Sequence, residues 1–175
     1  MSLLFCDSFD HHDNAANKWT LQNGTIDTSL KRTGRGSLRV STSTCKKSLT
    51  VSGQTTVVGF AMYATDWGLR LTLSNDSGQY DQCYVYLVGT GAFSVVRSDG
   101  GSVQGTSAAA SVPLNTWLYV EVKILHGHSG HATIKVDGNT ILDISADTQS
   151  DFGVPTPTLP LDTIGFSQYS GTPGT

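Results

Sequence analysis

The 175-residue chain contains a single glutamate, Glu121. Charged residues reach only 14%, against about a quarter in an ordinary globular domain. Helical surfaces draw on Glu, Lys, Gln and Ala, so this shortage argues against a helix-rich fold. It also excludes any catalytic pair made of two glutamates. The net charge is −3 and there is no basic run, so nothing draws a nucleic acid backbone. No apolar stretch is long enough to cross a bilayer, so no membrane insertion is expected. The start, Met1 to Cys6, lacks the basic opening of a secretory signal, and its apolar run ends at Asp7. The expected place of synthesis is therefore a cytoplasm. Cysteine is scarce and odd in number: Cys6, Cys45 and Cys83. At most one disulfide could form, and three reduced, mostly buried thiols are expected.

What stands in place of charge is hydroxyl. The chain has 20 Ser, 22 Thr and 19 Gly, a mixture that suits strands and turns. Alternation of side chains is plain in Gly36 to Thr42, Leu69 to Leu73 and Cys83 to Val88. In the last of these Tyr84 and Tyr86 share one face while Val85 and Leu87 share the other. Trp117 to Ile124 is the strongest strand: Trp117, Tyr119, Glu121 and Lys123 take one face, and Leu118, Val120, Val122 and Ile124 the opposite one. Thr55 to Tyr63 is nearly continuous in apolar residues, as in a strand covered on both faces. Ala132 to Val136 and Asn139 to Ile144 flank Asp137-Gly138, a hairpin signal because that turn needs positive φ. Leu161 to Phe166 reads as one more strand. Val154 to Pro160 is a Pro-rich crossing that cannot join a central strand. Gly34-Arg35-Gly36 and Gly89-Thr90-Gly91 read as tight turns, and Ala108 to Ala110 as a surface loop. Only Asp13 to Trp19 suggests a turn of helix. There is no internal repeat and no linker between two cores. The expected fold is all-β: a two-sheet antiparallel β-sandwich of jelly-roll type with little helix, forming one domain over residues 1–175.

Several motifs occur in a characteristic order. Phe5-Cys-Asp-Ser-Phe-Asp10 and Lys18-Trp19 come first, then Arg32-Thr-Gly-Arg-Gly-Ser-Leu-Arg-Val40 and Val58-Gly-Phe-Ala-Met-Tyr63. Asn115-Thr-Trp-Leu-Tyr-Val-Glu-Val-Lys-Ile124, Ile134-Lys-Val-Asp-Gly138 and Asp162-Thr-Ile-Gly-Phe166 follow. The series resembles the concanavalin A/laminin-G-like jelly rolls of structural proteins in tailed bacteriophages. The resemblance implies a non-enzymatic virion protein, either a capsid decoration or a tail-associated adhesion module. Its partners would be other virion proteins, copies of itself and host surface glycans, and its location the virion, after synthesis in the host cytoplasm. A rival expectation from the same fold is a free carbohydrate-binding lectin or a degenerate glycanase-like domain that binds polysaccharide. The series departs from the family after Phe166, where a strand rich in Asp and aromatics is usual. Either a neighbouring subunit closes the sheet or the chain continues beyond Thr175, and both readings stand.

Phe5 to Asp13 packs Cys6, Asp7, Asp10, His11, His12 and Asp13 closely, but no second arm supplies the paired spacing that a zinc tetrahedron needs. His126, His128 and His131 have alternate spacing, and an exposed loop is the preferred reading. Related glycanases use Glu-x-Asp-x-x-Glu, which is absent. Glu121 could pair with Lys123 on its own strand face, and Asp66, Asp76, Asp81 and Asp99 are expected in turns. No Gly-x-Ser-x-Gly elbow or phosphate-binding loop occurs. No catalytic residue, cofactor or metal is therefore expected. Asp76 and Asp81 are weak calcium candidates, with a plain turn preferred. Trp67, Tyr84 and Tyr86 are candidates for glycan stacking or an interface, with core or interface preferred.

Overall fold

A computed structural model describes residues 19, 21–22, 24–40, 44–50, 53–75, 80–150 and 160–168. Thirteen strands occur among them: β1 (Leu21–Gln22), β2 (Thr25–Asp27), β3 (Ser37–Arg39), β4 (Thr44–Ser48), β5 (Thr55–Tyr63), β6 (Leu69–Asn75), β7 (Tyr80–Val88), β8 (Ala92–Arg97), β9 (Val103–Thr106), β10 (Trp117–Leu125), β11 (Gly130–Val136), β12 (Asn139–Ala146) and β13 (Thr163–Gln168). One sheet has the order β1-β4-β13-β6-β7-β8-β9, a second β12-β11-β10-β5, and β2 with β3 forms a small ribbon. Every pairing is antiparallel. The protein is a two-sheet jelly-roll β-sandwich, as its alternating sequence predicts. Among the described residues no helix is long and apolar enough to cross a membrane.

The core lies between the seven- and four-stranded sheets. β10 follows the predicted alternation: Leu118, Val120, Val122 and Ile124 are buried, while Tyr119 and Lys123 are exposed. They meet Leu71, Leu73, Val85, Leu87, Phe93 and Val95 in one apolar cluster. A smaller cluster joins Trp19 and Cys45 to Ile26, Leu38 and Val40. Phe166 bridges the two clusters, edge-on to Trp19 at 6.0 Å and to Phe60 at 5.0 Å.

The Asp137-Gly138 hairpin forms as expected, with φ of 48° and 84°. The Tyr119 amide donates to the Asp137 carboxylate at 2.8 Å, which ties the hairpin tip back to β10. The Gly89–Gly91 turn also forms, with Gly91 at φ 73°. β5 differs from expectation. Val58 and Met62 are buried, but Gly59 and Ala61 are exposed, so one face is covered rather than both. Its apolar run fits a strand that pairs, among the described residues, with β10 alone. The strand expected over residues 36–42 is shorter, Ser37–Arg39, and lies in the small ribbon. The helical turn expected before Trp19 and the Pro-rich crossing before Pro160 lie outside the described residues.

At one edge the two sheets are clipped together. Gly105 of β9 packs against Ile144 of β12, and the Asp147 amide donates to Gln104 Oε1 at 3.2 Å. Arg97 Nη1 reaches Asp147 Oδ2 at 2.7 Å, and Arg97 also pairs with Asp99. Near this edge Gly130 is hemmed in. A Cβ there would overlap the carbonyl oxygens of Leu125 and Gly127 and the Thr148 hydroxyl. Two of those are backbone and cannot swing away. Gly130→Ala is expected to destabilise the protein by about 2–3 kcal/mol, read as a lowered denaturant midpoint with unchanged slope.

Candidate functional site

The outer face of the seven-stranded sheet is assembled by register. Thr44, Ser167, Arg70, Tyr86, Ser94 and Thr106 are successive partners across β4, β13, β6, β7, β8 and β9. Beside them runs a second row, Lys46, Gly165, Thr72, Tyr84, Val96 and Val103. A third row is Ser48, Thr163, Ser74 and Asp81. Alternation puts all three on the face opposite the core. The result is a hydroxyl-rich band crossed by two tyrosines, two cations and one carboxylate among the described residues.

Small features set the geometry of this band. Gly165 has no Cβ to block the Lys46 stem, whose Cγ would lie 3.3 Å from one. Lys46 Nζ comes to 4.0 Å from Asp81 Oδ1, which also accepts a hydrogen bond from Ser74 Oγ at 2.7 Å. The Arg70 guanidinium lies over the Tyr84 ring, 5.3 Å from its centroid, and its Nε donates to Ser167 Oγ at 3.2 Å. Such a cation over an aromatic face is attracted by the ring quadrupole and fixes both groups. Tyr84 is half-buried, whereas Tyr86, Thr72, Ser94 and Ser167 are buried.

Asp81 departs from the sequence reading. It lies in β7, not in a turn, and a one-residue bulge puts it opposite Ser74. The extra residue, Gln82, is 1% exposed and anchors a buried polar network. Its Oε1 accepts from the Ser150 amide at 3.0 Å and faces His126 Nε2 at 3.3 Å. Its Nε2 donates to Asn75 Oδ1 at 3.2 Å. Because Oε1 can only accept, Nε2 of His126 carries the proton. His126 is thus a buried structural group, 2% exposed, rather than part of the expected open loop. Its neighbours separate from it: His128 faces Asp147 at 3.3 Å and His131 faces Asp143 at 2.7 Å. The His131 hydrogen bond, with one from Thr133, holds the Asp143 carboxyl below its ordinary value.

Trp67 packs against the main core beside the Gly89 turn. Tyr86 is too buried to offer its ring as it stands, which leaves Tyr84 as the part-exposed member of the predicted stripe. Asp66 caps the Trp67 amide at 2.7 Å, and Asp99 lies in a 3-10 turn at Asp99–Gly101. Glu121 meets Lys135 at 3.8 Å rather than Lys123, because direct cross-strand partners stand closer than i, i+2 neighbours along one strand. It lies on the opposite sheet from Asp81. No group of three or more His, Cys, Asp or Glu that could hold a metal occurs among the described residues. Cys6, His11, His12 and Asp76 lie outside those residues.

Cys45 and Cys83 are free and buried, as expected. Burial, and secondarily the Asp81 charge, push the Cys83 thiol up to about 12. A thiol reagent at neutral pH is expected to leave Cys83 unmodified in the folded protein and to label it once denaturant is added. Peptide mapping of the labelled chain reads both states.

Two groups escaped the sequence reading: Lys46 and Arg70 on this face, and Tyr63, Trp117 and Tyr119 together on the outer face of the four-stranded sheet. Tyr63 and Trp117 are cross-strand partners with ring centroids 5.5 Å apart, and Tyr119 lies over Gly59. The alternation of Trp117 to Lys123 showed half of the second group. The pairing with β5 that brings Tyr63 beside it was not legible.

No family model matches the chain, and no curated protein matches it. Solved structures do. The carbohydrate binding module CBM66 from Bacillus subtilis is 14% identical, with 86% of this chain and 92% of that one covered and a TM-score of 0.53. An endo-β-1,4-glucuronan lyase from the fungus Trichoderma reesei is 14% identical over 90% of this chain and 82% of that one, at a TM-score of 0.55. The cellulose-induced protein Cip1 is 10% identical over 95% and 90%, at 0.57. At these identities the likeness is one of fold: a jelly roll of the kind built by carbohydrate-binding modules and lyases. None of the three is described as a virion component.

Proposed function

We propose that the protein is a non-catalytic carbohydrate-binding module that holds a polysaccharide on the outer face of its seven-stranded sheet. The observation that carries this reading is Tyr84, part-exposed in a hydroxyl-lined band and fixed beneath the Arg70 guanidinium. A sugar ring offers apolar C–H faces to an aromatic ring and hydroxyls to Ser, Thr and charged neighbours. The half-buried Tyr84 offers the first, and the half-buried Thr44 and Ser48 with the exposed Thr106 offer the second, while Thr72, Ser74, Ser94, Thr163 and Ser167 are buried. Hydrolysis by a carboxylate pair lacks a second member here, since Asp81 stands alone on this face among the described residues and Glu121 lies on the other sheet.

Affinity electrophoresis through gels containing soluble polysaccharides tests the reading. The wild-type chain is expected to be retarded by at least one polysaccharide of a panel. Tyr84→Ala is expected to weaken that retardation about tenfold, with its circular dichroism unchanged. Retardation unchanged in Tyr84→Ala removes the site, and release of shortened or unsaturated sugars from the same polymers removes the non-catalytic assignment.

A further inference from the structure

We propose that the open edge of β5 is a docking surface for a second copy of this chain, paired antiparallel about a twofold axis at Gly59 so that two four-stranded sheets become one. The proposal goes beyond glycan binding and does not depend on it. A sheet edge offers a row of amides and carbonyls to any other strand, and proteins that stay monomeric blunt such edges with charge, proline, bulges or brevity. Among the described residues the other edges of the two sheets are blunted in these ways. β12 carries Asp143 and a bulge against β11. β9 has four residues and a register shift against β8, and β1 has two residues. β5 has none of these devices. Its nine residues include no charge and no proline. Its register with β10 runs from end to end without a shift, and among the described residues it pairs with β10 alone.

The ladder shows which groups the edge offers. The His126 amide donates to the Gln54 carbonyl at 2.9 Å, one step beyond the Leu125–Thr55 pair. Hydrogen-bonded pairs alternate along an antiparallel ladder, so Thr56, Val58, Phe60 and Met62 exchange bonds with β10. The far side of β10 agrees, since the Tyr119 carbonyl turns to β11 and accepts from the Asp137 amide at 2.8 Å. Thr55, Val57, Gly59, Ala61 and Tyr63 therefore turn their amides and carbonyls to the open edge. A second β5 matches this row when Gly59 lies opposite Gly59. Val57 then meets Ala61 and Thr55 meets Tyr63, each in a hydrogen-bonding pair, and both copies present the same five residues, as a twofold interface requires. The full seam is about 30 Å long and holds about ten backbone hydrogen bonds. On the core side Val58 falls opposite Phe60, an aromatic and β-branched pair of the favourable kind. On the outer side Gly59 and Ala61 are exposed and small, so nothing bulky stands at the axis. The Tyr119 ring, 42% exposed, reaches from β10 over Gly59, and two such rings would cap the seam. Opposed residues of an antiparallel pair share a face, so both seven-stranded sheets stand on one side of the joined sheet. Both Tyr84 faces then look the same way, the arrangement in which two sites engage one polymer with avidity.

Sedimentation velocity of the full chain over a range of concentrations, with amide exchange read by NMR below and above the midpoint of association, tests the proposal. One strand from each copy buries on the order of 1,000 Å², the low end for a specific interface, so a reversible dimer with a roughly micromolar dissociation constant is expected. Exchange at Val57, Gly59 and Ala61 is expected to slow at least about tenfold in the dimer, while Val58 and Phe60, already bonded to β10, change little. Ala61→Pro removes a donor from the seam and none from the β10 ladder, and is expected to weaken association at least about tenfold with little change in the thermal melt. A chain that stays monomeric up to millimolar concentration, a dimer that leaves those three amides exchanging as before, or a dimer indifferent to Ala61→Pro overturns the proposal. If Ala61→Pro does not fold, the exchange pattern of the wild-type chain decides alone.

Discussion

Phe93→Ala is expected to cost about 3–5 kcal/mol of stability. Phe93 is the largest of the fully buried side chains among the described residues, at 2% exposure, and sits on β8 beside Val95, with Val85 and Leu87 of β7 lining the same core. Truncation removes the apolar area of a whole ring and leaves a void that the facing sheet cannot fill, because strands joined by ladders collapse poorly. A domain of this size has a total stability of roughly 5–15 kcal/mol, so the variant is expected to lose a large part of it. Chemical denaturation reads the change. Phe93→Leu separates the contributions, because it keeps the greasy surface and reduces the cavity, and its cost is expected to be under half as large. A Phe93→Ala chain with an unmoved midpoint would show that the two sheets do not share one interior.

Gln82→Leu has the second large expected effect, about 2–4 kcal/mol, for a different reason. The volume is nearly conserved, so no cavity opens. What disappears is the acceptor that takes the Ser150 amide at 3.0 Å and faces His126 Nε2 at 3.3 Å, together with the donor to Asn75 at 3.2 Å. Buried polar groups that lose a partner bear their full desolvation penalty. The network ties β6 and β7 to the segments holding His126 and Ser150, so its loss should also loosen those segments. Amide exchange is expected to accelerate at Ser150 and Gly127 before it does so in β10. A melt unchanged from wild type, with unchanged exchange, would mean that the network contributes nothing.

These two residues also show what a one-dimensional reading can and cannot see. Phe93 does not announce itself, because β8 is buried at every position from Ala92 to Val96, whereas Leu118 and its neighbours on β10 do so by alternation, since a strand with one buried face must repeat every second residue. β10, the Asp137-Gly138 hairpin and the antiparallel sandwich follow from the same rule. Gln82 does not announce itself. The bulge that places it in a buried network depends on how β6 meets β7, and a bulge shifts the period by one without any special residue type. The same shift moved Asp81 from an expected turn onto a strand. His126 is the matching error from the opposite side: Gly and Ser around it signal a loop, but the loop folds inward onto Gln82 and Gln54.

The candidate site was half legible. Tyr84 and Tyr86 were visible as a pair on one strand face. Their division into a part-exposed and a buried ring was not, because burial depends on what lies across the sheet. Arg70 and Lys46 lie 24 residues apart in sequence and are separated in the sheet by Gly165, which comes almost 100 residues later. No local pattern joins three such positions. Trp67 shows the limit of nearness along the chain: close to the stripe in sequence, it packs at the far end of β7 beside Gly89.

That late insertion has a kinetic consequence. β13 at Thr163–Gln168 pairs with β4 on one side and β6 on the other, so until it arrives β1 and β4 have no ladder to the rest of their sheet. A ribosome must therefore pass Gln168 before the layer can knit, and the entropy of closing those long loops is lost before any ladder forms. Slow refolding is the natural outcome, with the hairpins on either side of β10 able to assemble first.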